Sequence, residues 1–178
     1  MTNKTNIPDN IDSKISIRPY QKTDFDFVEK LQAKAFGPGR FARAAYRVRE
    51  KFLSDDKLGL IAMIGNKRVG SVSMTPISIA KINGYLLGPL VTDNEYRSMG
   101  IGGKLVLQAT SSALKNTSEF TLLVGDLPYY STMGFAAVKP YSIIFPSFVD
   151  QNRILISCKP DINLDSLRGE LETYIGEI

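Results

Sequence analysis

A glycine-rich turn between an apolar extended run and an apolar helical run constrains this chain more than any other segment. Residues 85–92 have the pattern of a strand, residues 101–115 have that of a helix, and the turn joins them. It consists of Arg97, Ser98, Met99, Gly100, Ile101, Gly102, Gly103 and Lys104. The first N–H groups of a helix have no partner within it, and the peptide dipoles add positive charge there. Because glycines let an anion approach this backbone closely, the turn predicts a phosphate site, with a ligand-free tight turn as the alternative.

Two familiar nucleotide motifs do not fit this turn. In a P-loop alignment Ser98 stands where the first glycine belongs, and Leu105 replaces the hydroxyl residue that binds magnesium. The dinucleotide fingerprint, Gly-x-Gly-x-x-Gly, lies near the first strand of its domain. Here Gly100 and Gly102 lie past the middle of the chain, and Leu105 stands where the third glycine belongs. Neither a nucleotide P-loop nor a dinucleotide site is therefore expected at this turn.

Length and composition favour a single domain without metal chemistry. The 178 residues are 43% hydrophobic, and we expect a flexible lead-in over 1–13 and one domain over 14–178. With one cysteine, Cys158, and no histidine, the chain lacks an internal disulfide and the commonest metal ligand, so we predict no metal site. We interpret Cys158 as an inert core residue. The polar start and the lack of a long apolar run favour a cytoplasmic location without membrane contact.

Positive charge is concentrated in the first part of the chain. Residues 14–51 contain ten Lys and Arg against four Asp and Glu, although the net charge of the whole chain is only +4. This excess suits an anionic ligand or acceptor, and a solvated charged face is the alternative. Nucleic-acid binding is not expected, because no recognition motif or aromatic interleaving accompanies the basic residues.

The apolar periodicity predicts an α/β fold of the α+β kind. It contains a mixed, mostly antiparallel twisted sheet of about seven strands flanked by about four helices. The predicted strands are 15–18, 58–64, 69–79, 85–92, 120–124, 141–145 and 153–158, and the predicted helices are 23–35, 40–52, 101–115 and 128–133. The segment from 85 to 124 is a right-handed β-α-β crossover, which places the glycine turn at the carboxyl edge of its strand.

Two motifs in this order resemble the GNAT acetyltransferase superfamily. Arg97-x-x-Gly100-x-Gly102 matches the pyrophosphate loop of that family, and it follows the apolar strand that contains Leu90 and Val91. Tyr130-x-x-x-Gly134-Phe135 matches the second signature, a tyrosine ahead of Gly-Phe at the end of a short helix. The resemblance spans residues 15 to about 158 and implies an acetyl-CoA-dependent N-acetyltransferase that releases coenzyme A.

The resemblance implies roles for particular residues. Leu90 and Val91 leave the neighbouring strand at a bulge and pair with the pantetheine arm, and the Val91 amide stabilises the oxyanion. The eight residues of the turn hold the pyrophosphate. Tyr130 protonates the departing thiolate, and burial of its ring as a structural anchor is the alternative.

The general base is not apparent in the sequence. Many relatives carry a glutamate on the strand before the cofactor loop, but residues 82–91 contain no carboxylate. Asp93 and Glu95 flank the loop without an assigned role, and Asp126 is interpreted as a helix cap. A non-catalytic module that binds acyl-CoA is therefore the alternative to an enzyme.

The helix pair that borders the acceptor groove in this family carries our candidate acceptor residues. Arg40, Arg43 and Arg47 have the spacing of one helical stripe, and Phe36 ends the preceding helix. We expect Phe36, Arg40 and Arg43 to contact an amine acceptor with a carboxylate or phosphate, and a solvated face is again the alternative. The identity of the amine is not encoded in these patterns.

Overall fold

A computed structural model describes residues 15–52, 54–55, 57–116 and 118–174. The lead-in expected over residues 1–13 lies outside this range. Among the described residues, no helix has both the length and the apolar character needed to cross a membrane.

One sheet of eight strands forms the centre of the molecule. The strands of the chain are β1 Ile15–Pro19, β2 Leu60–Ile64, β3 Lys67–Ile79, β4 Ile82–Thr92, β5 Phe120–Val124, β6 Ala136–Ala137, β7 Ile143–Ile144, β8 Ile154–Cys158, β9 Gly169–Glu170 and β10 Glu172–Thr173. The order in the large sheet is β1-β2-β3-β4-β5-β8-β6, with β10 beside β3, and a small second sheet pairs β7 with β9. Among the described residues of the large sheet, only β4 and β5 pair in parallel. The predicted mixed, mostly antiparallel sheet is confirmed, with eight strands in place of about seven.

Helices cover both faces of this sheet. They are α1 Phe25–Phe36, α2 Ala44–Lys51, α3 Ile101–Lys115 and α4 Leu127–Tyr130. On one face Leu105, Val106 and Ala109 of α3 are fully buried in a core that includes Met74. On the other face Val48 of α2 packs in a second core with the inner residues of β3, β4 and β5. The two cores fix the sheet from both sides and hold the carboxyl end of β4 next to the start of α3.

The helix predicted over 40–52 is wrong in its first part. Residues Pro38–Ala42 form a turn of 3-10 helix, and Arg43 has an extended backbone with φ −73° and ψ 140°. Helix α2 therefore begins at Ala44, and the Phe41 side chain in the preceding turn is exposed. Because Arg43 lies outside the helix, Arg40, Arg43 and Arg47 do not form one helical stripe.

The strand predicted over 141–145 is also shorter in the structure. Only Ile143–Ile144 pair, and their partner is Gly169–Glu170 in the small second sheet. Tyr141 has a left-handed backbone with φ 62°, which is incompatible with a strand.

A buried carboxylate joins β1, the start of α1 and β3. Asp24 is 1% exposed and accepts two hydrogen bonds from Arg18, at 2.6 and 2.8 Å. Arg68 donates to the same carboxylate at 3.2 Å, and the Gln21 amide donates at 2.8 Å. The hydrogen bonds from Arg18, supported by those from Gln21 and Arg68, outweigh burial and lower the pKa of Asp24 to about 2.

We expect Asp24→Asn to lower the free energy of unfolding by about 2 kcal/mol at pH 7, because the paired charge is lost. A depressed pKa stabilises the fold above the ordinary carboxyl pKa of about 4, and this contribution disappears as the pH falls toward 2. Urea unfolding of both proteins at pH 7 and pH 2.5 measures the difference, which should shrink at the lower pH. Glu95→Gln is the control, since Glu95 forms only an exposed pair with Lys67. A difference independent of pH would contradict the assignment.

Candidate active site

A bulge in β4 opens the sheet at the expected place. Val72 pairs with Leu90 and Met74 pairs with Leu87, so β4 has one residue more than β3 between these two pairs. Parallel pairing of β4 with β5 ends at Leu86, whereas pairing with β3 continues to Thr92. A gap therefore opens between β4 and β5 beyond Leu86, and the backbone of β4 faces it.

The register decides which backbone amides face this gap. The Asp93 amide donates to the Val69 carbonyl at 2.8 Å, and the pairing proceeds without interruption back to Leu90. In an antiparallel pair, alternate residues turn their amides to the same side. The Val91 amide is consequently turned toward β3, and the Leu90 amide faces the gap. The expected role of Val91 as oxyanion donor is corrected, because its amide is directed away from the open edge.

The glycine turn has the left-handed backbone that a sharp strand-to-helix connection requires. Gly100 has φ 72° at the N-cap of α3, and Ser98 has φ 64°. Arg97, Ser98 and Gly100 are exposed, whereas the Met99 and Ile101 side chains pack in the core. Met99 and Ile101 thus offer a ligand only their backbone.

The start of α3 adjoins both β4 and the short helix α4. A Cβ on Gly102 would lie 3.0 Å from Tyr129 Oη and 3.7 Å from Leu90 Cδ2. A Cβ on Gly103 would lie 3.7 Å from Met133 Sδ. The two signature motifs of the sequence are therefore adjacent in the fold. Because Gly102 and Gly103 have no Cβ, space remains beside the first turn of α3.

Tyr130 lies at the end of α4 with its ring supported on two sides. It makes edge-to-face contacts with Tyr129, at 4.9 Å between ring centres, and with Phe135, at 6.0 Å. Burial, with the neighbouring Tyr129 and Asp126, raises the pKa of Tyr130 to about 12. The phenol is therefore protonated at neutral pH and retains a proton to donate.

Gly125 makes room for the Tyr130 ring, which sequence reasoning missed. A Cβ at this position would overlap Tyr130 Cε2 and would lie 2.7 Å from Cδ2. Gly125 directly follows β5, so the ring rests against the backbone where β5 ends. The sequence did contain a signal for this role, because Gly125 lies between Val124 and Asp126 at a place where no turn requires a glycine.

A cavity of about 210 Å³ lies beside Leu90 and Tyr130. Phe36, Arg40 and Arg43, the three candidate acceptor residues, also line it. Val91 and residues 97–104 are not among the lining residues. The proposed acceptor and thiolate-protonating groups are thus gathered in one place, and the glycine turn lies outside it.

Gln32 and Tyr46 also line the cavity and were not found from sequence. Gln32 is 1% exposed and lies on the buried face of α1 with Val28 and Leu31. A polar residue within an apolar stripe was the available signal, because such a side chain needs a buried partner.

The acidic residues near the site all take part in ion pairs. Asp93 pairs with Lys34 at 3.2 Å, and Glu95 pairs with Lys67 at 3.2 Å. Asp126 lines the cavity at the N-cap of α4, but its side chain makes no cap hydrogen bond and instead pairs with Arg153 at 3.2 Å. Asp126 thus occupies the predicted N-cap position of α4, but without the side-chain hydrogen bond that a capping residue usually accepts.

Comparison with known proteins gives consistent similarities. No family model matches the chain. It is 25% identical over 132 residues to the Escherichia coli protein "Uncharacterized N-acetyltransferase YjhQ", covering 70% of this chain and 73% of that protein. The E. coli GNAT family N-acetyltransferase YhbS in complex with CoA matches with a TM-score of 0.72 and 21% identity, over 96% of this chain and 94% of that one. A GNAT family acetyltransferase from Brucella melitensis in complex with acetyl-CoA matches with a TM-score of 0.65 and 21% identity, over 90% and 96%. The chain has the fold of the GNAT N-acetyltransferase superfamily, as its two motifs predicted.

Proposed function

We propose that this chain is an acetyl-CoA-dependent N-acetyltransferase that moves an acetyl group to a primary amine by direct attack on the thioester. One observation carries the proposal: Leu90, at the gap between β4 and β5, adjoins Gly102 at the start of α3 and lines the same cavity as Tyr130. The CoA and acetyl-CoA complexes of YhbS and the Brucella protein support the choice of donor.

The donor is held by backbone groups and by two cations. The turn 97–104 binds the pyrophosphate through the N–H groups at the start of α3, and Arg97 and Lys104 add full positive charge. The Leu90 amide and carbonyl pair with the pantetheine arm in the gap, as an added strand would. Because Pro89 has no N–H, Leu90 supplies the first amide after the bulge, and we assign it as the donor to the thioester carbonyl.

The reaction requires one proton donor and no metal. The neutral amine nitrogen attacks the thioester carbonyl carbon, a C–N bond forms and the C–S bond breaks. Tyr130 gives its phenolic proton to the departing thiolate sulfur. The product nitrogen loses a proton to water, and Tyr130 regains one from solvent, so protons balance over the cycle.

A non-catalytic acyl-CoA binding module is the second candidate. It is favoured by one observation: the carboxylate that lines the cavity, Asp126, is paired with Arg153. An enzyme with this cavity would have to take up the acceptor already as the free amine. The cytoplasmic location expected from sequence stays a prediction for either function.

Binding and turnover measured together test the proposal. Acetyl-CoA affinity is measured by calorimetry, and coenzyme A thiol release is followed with acetyl-CoA and a panel of amines. We expect the chain to bind acetyl-CoA and to release coenzyme A thiol when an amine is present. We expect Gly102→Val to weaken acetyl-CoA binding by about tenfold or more, because the valine side chain fills the space beside the first turn of α3. Ser111→Val is the control, since it places the same residue at an exposed position of the same helix.

The outcomes separate the candidates. Thiol release that depends on an amine supports the enzyme, whereas acetyl-CoA binding without turnover of any panel amine supports the module. Equal acetyl-CoA affinity for Gly102→Val and Ser111→Val would reject the assignment of the glycine turn to the donor.

A further inference from the structure

The cavity beside Tyr130 carries excess positive charge that the binding of acetyl-CoA does not account for. Arg40, Arg43 and Arg153 line it, and Asp126 pairs with Arg153. Arg40 approaches a carboxylate only at 3.9 Å, from Glu29. Arg43 takes part in none of the ion pairs that the described residues form. Because the turn 97–104 lies outside the cavity wall, this charge is separate from the pyrophosphate site.

Aromatic rings hold the two arginines without neutralising them. The Arg40 guanidinium lies 4.2 Å from the centre of the Phe41 ring, and the Arg43 guanidinium lies 4.6 Å from that of Phe36. A ring face attracts a cation through its quadrupole but carries no net charge. The Arg43 guanidinium therefore remains able to bind an anion, and Arg40, whose Nη1 donates to the Gly37 carbonyl at 3.3 Å, adds a second positive charge beside it.

The buried polar atoms of this wall that lack a partner are hydrogen-bond donors. Gln32 Nε2 and Arg40 Nε are buried and have no acceptor. Arg49 Nη2 donates to Gln32 Oε1 at 3.4 Å, so the amide oxygen is engaged and its nitrogen is left over. Arg49 Nε, behind Gln32, is likewise buried without an acceptor. A wall with surplus donors is satisfied by a ligand rich in acceptor oxygens.

We propose that the amine acceptor carries an anionic group, a carboxylate or a phosphate, which binds against Arg40, Arg43 and Gln32. This inference rests on the proposed acetyl transfer and names the substrate class for it. The anion fixes one end of the acceptor in the cavity, and the amine at the other end reaches the gap beside Leu90 and Tyr130.

Matched pairs of amines test this proposal. Amino acids are compared with their carboxamides, and phosphoethanolamine is compared with ethanolamine. Rates are expressed per concentration of free amine, because the anionic group also raises the amine pKa. We expect kcat/KM to favour the anionic member by about tenfold or more, chiefly through KM. Whichever pair shows the larger preference identifies the carboxylate or the phosphate as the group that is recognised.

Substitutions locate the preference in the cavity. Arg43→Gln replaces an exposed side chain outside any helix, and we expect the preference for the anionic member of a pair to fall by about tenfold. Arg40→Gln should act in the same direction. Arg47→Gln is the control, because Arg47 pairs with Glu50 and does not line the cavity.

Calorimetry in the presence of coenzyme A separates failure of this inference from failure of the proposed function. If no amine is acetylated but the anionic members bind more tightly, and Arg43→Gln removes that difference, acetyl transfer fails and the anion site stands. Equal binding and equal kcat/KM within every pair would overturn the anion site, as would a preference that Arg43→Gln and Arg40→Gln both leave intact.

Discussion

Tyr130→Phe is expected to lower kcat by about 100-fold while acetyl-CoA affinity stays unchanged, because only the proton for the departing sulfur is removed. The ring contacts with Tyr129 and Phe135 are kept by phenylalanine. Since burial raises the pKa of Tyr130 to about 12, the donor form persists throughout the accessible pH range. The wild-type rate should therefore show no decline from loss of this proton up to about pH 10. Thiol release between pH 6 and pH 10 measures both effects.

Tyr129→Phe is the matched control for this substitution. Tyr129 is the exposed neighbour on the same helix, and its ring packs on that of Tyr130 without lining the cavity. It should retain most of the activity. If Tyr130→Phe and Tyr129→Phe have equal kcat values, Tyr130 is only a packing residue.

Gly125→Ala is expected to lower kcat about as much as Tyr130→Phe, because the added methyl group occupies the place of the Tyr130 ring. The ring must rotate away from β5, and the phenol leaves the position from which it protonates the sulfur. Thiol release and acetyl-CoA affinity are compared for the two single variants and the double variant. If both act through one phenol, the double variant is no slower than the worse single variant.

Gly39→Ala is the control for the added methyl group. Its Cβ would meet no atom within 4 Å, and its backbone needs no left-handed conformation. It should leave kcat close to that of the wild type. Additive losses in the double variant, or wild-type activity for Gly125→Ala, would reject the link between Gly125 and Tyr130.

The parts of this protein that could be predicted from sequence are those that local patterns determine. Helix α3 has the predicted limits, because its apolar positions recur at helical spacing and a left-handed glycine marks its start. Strand β5 likewise has the predicted limits. Gly134, with φ 84°, ends the short helical segment where the sequence indicated.

The errors arise where two local conformations have similar sequence requirements. Residues 38–52 contain apolar residues at helical spacing throughout, but Gly37 and Pro38 favour a turn, and the chain forms a 3-10 turn before α2. Spacing alone does not reveal that Arg43 interrupts the helix. The arginines are nevertheless brought to one cavity by the tertiary fold, although not along one helical face.

Contacts between distant segments account for what was missed. The direction of the Val91 amide depends on the register of β4 against β3, which the bulge at Gly88 and Pro89 shifts. The function of Gly125 depends on a ring five residues later that folds back onto it. Neither follows from residue type or spacing, because both are decided by packing.

The hydrogen-bond donors of the cavity wall that lack acceptors favour binding of an anion but lower the folding stability of the empty protein. In the empty protein, a buried donor without an acceptor costs about 1–3 kcal/mol. Gln32 Nε2 and Arg40 Nε both have this character. An apolar side chain at position 32 would remove the cost at that site and suit the buried face of α1. Replacing Gln32 with an apolar residue would thus favour folding stability and would remove a hydrogen-bond donor from the anion site.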